Sequence, residues 1–132
     1  WKREADFRMD LDVYQHLPEA PFALPVTPGP EWHLLDQPAK DQLLGAEFMV
    51  HPDSNRQGIR LLPDHTITAA LAPMISSPVL PGTIQLTPSG PIVLGPDAQT
   101  IGGYPRVLLA ANQEVLSALF QVGIGELVSF IG

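Results

Sequence analysis

The stretch from Pro81 to Pro105, PGTIQLTPSGPIVLGPDAQTIGGYP, restricts the fold more than any other part of the chain. Two β-rich runs, GTIQLT and PIVLG, are joined by Pro88-Ser89-Gly90, which reads as a hairpin with a Pro/Ser/Gly turn. Gly102 and Gly103 follow. A glycine pair so close to a strand calls for positive φ, or for close approach of another backbone or a ligand.

The flanking segments continue the β pattern. Phe22 to Thr27 reads as a strand ended by Pro28-Gly29-Pro30, and Glu47 to His51 and Gly58 to Leu62 read as a pair around a turn at Pro52 to Asn55. Thr66 to Leu71 is a further candidate, and Pro73 to Leu80 is an extended connection. Arg106 to Ala111 and Glu126 to Ile131 complete the set. Asp36 with Pro38 in the first turn opens a short helix, with Leu43 and Leu44 as its apolar face and Gly45 as its stop. Asn112 caps a second, running to about Gln121 with Val115, Leu116, Leu119 and Phe120 on one side. The expectation is an all-β fold of about eight strands and two short helices, with the sheet closed into a barrel to remove its edges. Fifteen prolines and eleven glycines in 132 residues suit many short elements. Residues 1–21 mix charge and aromatics without a period and read as an arm or linker, or else as an edge or docking segment, with residues 22–132 as the barrel.

Charge and composition exclude several function classes. A net charge of −7 offers no basic patch for phosphates, so no nucleic-acid partner is expected. No apolar run approaches the length of a membrane span. The absence of cysteine excludes disulfides and thiolate metal sites and fits a reducing cytoplasm. His16, His33, His51 and His65 are scattered, and none shares a triad or elbow pattern with Ser54, Ser76, Ser77 or Ser89. His51 and His65 could meet across a hairpin, but that spacing is no metal signature, and no metal is expected. A phosphate-binding loop of the G-x-x-x-x-G-K-[ST] type is absent as well.

Four ordered motifs carry a family resemblance: VTPGPEW at Val26 to Trp32, SNRQGIRL at Ser54 to Leu61, ISSPVLPG at Ile75 to Gly82, and the hairpin with Asp97 to Pro105. Together they resemble the allophanate hydrolase subunit 2 family, which includes the biotin-dependent carboxyltransferase domain of urea amidolyase and the C subunit of 5-oxoprolinase. The resemblance implies a cyclophilin-like closed barrel. It also implies the C-terminal half of a larger subunit, since the chain starts at Trp1 and the Q-D-x-G-R type motif of the family's earlier half is not in it. The expected activity is on an amide or lactam (5-oxoproline, urea or allophanate), together with a subunit-1-type partner and the missing N-terminal half. This chain itself would bind no cofactor, and any ATP or biotin chemistry would belong to partner domains. The alternative is a non-catalytic regulatory module, as in family members that relieve inhibition of a sporulation kinase through protein–protein contact.

Candidate site residues lie on the same motifs. Arg56 could hold a carboxylate or carboxybiotin oxygen bidentately, and Thr100 could present a hydroxyl; these two are the expected catalytic residues. Gln85, Gly102, Gly103 and Tyr104 are expected to bind substrate: an amide on a mid-strand position, backbone N–H groups, and an aromatic face with a phenol. Each also has a structural reading, as a turn residue or as a partner for buried backbone groups. Ala98 stands where the family usually has Arg, and Ser77 where it has Glu, so the signature has lost charge that a carboxylate-handling site would use.

Overall fold

The computed structural model describes residues 22–63, 67, 79–97 and 103–132. Its strands are β1 (Phe22–Pro28), β2 (Glu47–Val50), β3 (Gly58–Pro63), β4 (Thr83–Thr87), β5 (Gly90–Leu94), β6 (Arg106–Ala110) and β7 (Leu127–Ile131). Helix α1 (Gln37–Gly45) lies between β1 and β2, and α2 (Gln113–Leu119) between β6 and β7. Around the sheet the order is β1-β6-β4-β5-β3-β2-β7, and β7 returns to β1 to close the barrel. The fold is therefore the expected mostly-sheet barrel with two helices. Thr66 to Leu71, the further strand candidate, lies outside the described residues apart from Ile67, which is in no strand but packs on the core. The arm at residues 1–21 lies outside them too.

Closure depends on β1 serving two neighbours in turn. Phe22 to Pro25 runs parallel to Val128–Ile131 of β7, while Val26 to Pro28 pairs antiparallel with β6. Pro25 and Pro28 have no N–H to give, so they suit a strand that changes partner. The carbonyl of Pro25 still accepts from the Ala111 N–H at 2.9 Å. All the other strand pairs are antiparallel.

Alternation fills the interior. Leu24 and Val26, Phe48 and Val50, Ile59 and Leu61, Ile84 and Leu86, and Val128 and Phe130 point inward from five strands and form one core with Val93 and Leu108. The Phe48 and Phe130 rings meet at 5.1 Å and 42°. Each fully buried ring contributes about 1.5–3 kcal/mol. Helix α1 is capped by the Asp36 side chain, which accepts from the Ala39 N–H at 2.9 Å. It buries Ala39 and Leu43, one turn apart. Leu44, expected on that apolar face, is exposed, because it is rotated about 100° from Leu43. Helix α2 starts on Asn112 as expected, buries Leu116 and Leu119, and ends at Leu119 rather than near Gln121, where tighter bonds take over (Gln121 N–H to Ala118 O, 3.0 Å).

The hairpin turn explains its own glycine. Gly90 has φ +126°, and a Cβ there would lie 2.5 Å from the Leu61 carbonyl oxygen on the neighbouring strand. Replacing Gly90 with Ala is expected to cost about 2 kcal/mol or more in urea unfolding. Gly45→Ala, where no atom lies within 4 Å, should change stability by no more than about 0.5 kcal/mol.

Candidate functional site

Two signature segments that lie far apart in sequence meet where β6 begins. On β4, Ile84 faces Leu108 and the next residue, Gln85, faces Arg106, so β6 has Val107 as an extra residue between them. Such a bulge re-aims side chains. Val107 and Leu108 both enter the core, and Arg106 joins Gln85 on the outer face.

Arg106 finds its partner on the segment after β1. Glu31 Oε1 accepts from the Arg106 backbone N–H and from Nε, both at 2.8 Å, and Oε2 accepts from an η nitrogen at 2.7 Å. The backbones are joined as well, Glu31 N–H donating to Arg106 O at 3.0 Å and Gly29 N–H to Val107 O at 2.9 Å. Only glycine fits at position 29, since a Cβ would lie 2.4 Å from the Arg106 oxygen. Glu31 is 7% exposed. The side-chain hydrogen bond from Arg106 holds the Glu31 carboxyl below its ordinary range, against an opposing effect of burial. The same bond raises Arg106.

The expected site residues divide between two places. Gly103 has the positive φ anticipated for it, +89°. Tyr104 is partly exposed beside it. Pro105 follows, its carbonyl accepting from Leu86 N–H at 3.1 Å. Gln85 lies opposite Arg106 and, as alternation requires, on the other face from Ile84 and Leu86, yet it is buried at 1% exposure along with its outer-face neighbour Thr83. Gln85, Gly103, Tyr104, Arg106 and Glu31 thus share one end of the β4–β6 pair. Arg56 does not belong to this group. Its Nε donates to Asp97 Oδ2 at 3.0 Å in an exposed ion pair, on a turn fastened to the end of β5 by Asp97 N–H to Arg56 O and Gly95 N–H to Gln57 O. Thr100 and Gly102 lie outside the described residues.

Sequence reasoning missed Glu31 and Arg106. Both lie in or beside motifs it had singled out, one ending PGPE, the other following Tyr-Pro. Their signal was opposite charge at the ends of two Pro/Gly-rich motifs in a chain with only seven Lys and Arg.

Among the described residues, the chemistry available is oriented hydrogen bonding rather than attack by an activated nucleophile. Ser54 Oγ is tied to the backbone of Arg60, accepting from its N–H at 2.9 Å. His51 Nδ1 accepts from the Asp53 N–H at 2.9 Å, so the 3.7 Å approach of the Asp53 carboxylate to that nitrogen is not an ion pair of a neutral ring. The described residues include no helix long and apolar enough to cross a membrane.

Because Glu31 titrates lower in the folded chain than in the unfolded one, its contribution is present above the unfolded value of about 4.3 and is lost as pH falls through the depressed folded value. Glu31→Gln is expected to cost about 2–4 kcal/mol at pH 7 by leaving Arg106 without its counter-charge. In acid unfolding curves, the gap between Glu31→Gln and the parent should narrow below about pH 4. A gap that is constant with pH would contradict the pairing.

Residues 3–131 match the family model described as the carboxyltransferase domain, subdomain A and B. The chain is 34% identical over 105 residues to the C subunit of 5-oxoprolinase from Escherichia coli strain K12, covering 79% of this chain and 34% of that protein. It is 35% identical over 85 residues to the Haemophilus influenzae protein of the same name, covering 64% and 27%. It therefore spans about a third of the length of these curated relatives. The crystal structure of Kluyveromyces lactis urea amidolyase superposes with a TM-score of 0.73 over 83% of this chain and 7% of that one, at 21% identity, a likeness of fold.

Proposed function

We propose, for a chain that belongs to the carboxyltransferase domain (subdomain A and B) family, a role as part of a protein like the C subunit of 5-oxoprolinase. In this reading it acts on an amide or lactam, with 5-oxoproline as the favoured substrate, in a cytoplasmic assembly with a subunit-1-type partner and an N-terminal half. The observation that supports the choice of 5-oxoproline is the 34% identity to the Escherichia coli protein, which extends over 105 residues. The Glu31–Arg106 join gives that reading a physical form. It holds Gly103 and Tyr104 in a fixed relation to the PGPE turn, where backbone N–H groups and a phenol can orient a carbonyl. Activation by ATP or carboxylation on biotin would be supplied by partner domains, and this chain would bind neither.

A second reading, a regulatory module that antagonises a kinase inhibitor through protein contact, draws on the separation of Arg56 from the Gln85 end of the barrel and on the charge lost at Ala98 and Ser77.

The test is ATP-dependent loss of 5-oxoproline by the full-length protein assembled with its partner, with urea and biotin carboxylation as controls. Turnover of 5-oxoproline is expected. A stable complex without turnover of any of them would favour the regulatory module. Arg56→Ala should abolish that turnover if Arg56 is catalytic, while changing stability by no more than about 1 kcal/mol, because its ion pair is exposed. An equal loss of stability and activity would instead make Arg56 a structural residue.

A further inference from the structure

A groove of about 470 Å³ lies on the outer face of β3 and β5, between the turn at residues 51–57 and the hairpin turn at residues 87–90. It is separate from the Glu31–Arg106 end of the barrel, and neither that pair nor Arg56 lines it. The volume falls within the range of roughly 300–1,000 Å³ typical of small-molecule sites. Its lining includes Gly58, Pro91 and Ile92 together with the polar His51, Arg60 and Ser89.

Arg60 sets the chemistry of this groove. Its backbone is held firmly: the N–H donates to Ser54 Oγ at 2.9 Å, and the carbonyl accepts from His51 N–H at 2.9 Å. Ile59 and Leu61 on either side are sunk in the core, so Arg60 projects outward, opposite Ile92 on β5. The guanidinium has no ion-pair or hydrogen-bond partner among the described residues. This contrasts with Arg56 and Arg106, each committed to a carboxylate.

The neighbouring groups are also donors. His51 Nδ1 accepts the Asp53 N–H, which leaves Nε2 carrying the proton of the neutral ring. The Ser89 hydroxyl has no partner among the described residues, whereas Thr87 Oγ1 is engaged with Gly90 O at 2.8 Å and Ser89 N–H at 3.2 Å. Among the described lining residues the opposing group is Asp53, whose carboxylate is 79% exposed and so is well solvated.

We infer that this groove binds a small carboxylic acid, with its carboxylate on the Arg60 guanidinium, assisted by His51 and Ser89, and a compact apolar body on Gly58 and Ile92. A planar fork that donates two parallel bonds is suited to a carboxylate. The choice of 5-oxoproline as the acid to try rests on the functional reading above; the groove and its donors do not.

The experiment is a titration of the isotopically labelled chain, followed by amide NMR, with 5-oxoproline, cyclopentanecarboxylate and pyrrolidinone in turn. These share a five-membered ring; the first two carry the carboxylate, and the third carries only the lactam. Both acids should shift the amides of His51, Gly58, Arg60, Ser89 and Ile92, and pyrrolidinone should not. Arg60→Gln should weaken acid binding by about tenfold or more, since a hydrogen bond to a charged group is lost. Arg60→Lys should recover only part, and the spectrum of each variant reports that it is folded. Binding of cyclopentanecarboxylate but not 5-oxoproline would uphold the acid site and count against the lactam reading. No shift with either acid, or shifts unchanged in Arg60→Gln, would overturn the proposal.

Discussion

The carboxylate of Glu31 and the guanidinium of Arg106 meet through hydrogen bonds of 2.7–2.8 Å, and the backbones that carry them are joined by two more bonds. Much of the β1–β6 side of the barrel depends on this arrangement. It requires a glycine at position 29 so that the chain can lie against Arg106, and an extra residue in β6 so that Arg106 turns outward while Val107 and Leu108 turn in. Burying a charged pair is costly, and the cost is offset only when every polar atom is well matched. Here the carboxylate uses both oxygens, and its acidity is increased accordingly.

The barrel supplies rigidity on either side of that join. β1 closes the sheet by pairing first with β7 and then with β6, and its second half runs directly into the PGPE turn. The core beneath it, with Phe48 and Phe130 in contact, leaves little freedom for β6 to shift. The site end is therefore held by packing from inside and by the ion pair from outside. The groove at Arg60 sits on a different strand pair, β3 and β5, and among the described residues its guanidinium has no partner, where Arg56 and Arg106 are each paired.

Most of the fold was legible because its signals are local. Alternation in FALPVT, GTIQLT and LVSFI sets which residues enter the core, and Asp36 and Asn112 announce the helix starts by cap chemistry alone. Positive φ at Gly103 was legible for the same reason. Less of the site could be read. Gln85 lies on the face opposite its neighbours, as strand alternation requires, but its burial depends on tertiary packing that no period encodes. Arg56 reads from its turn as a catalytic residue, and its exposed ion pair with Asp97 comes from a contact between residues forty-one positions apart that the turn does not announce. The pairing of Glu31 with Arg106 spans seventy-five positions, and the bulge that makes it possible has no mark in the sequence of β6.

A double-mutant cycle on Glu31→Ala and Arg106→Ala, read by urea unfolding at pH 7, would test the central claim most directly. If the pair is what holds the two signature segments together, the coupling energy should be about 1.5–3 kcal/mol, and the double variant should be little worse than either single one. A coupling energy within about 0.3 kcal/mol of zero, with the two single losses simply adding, would contradict it.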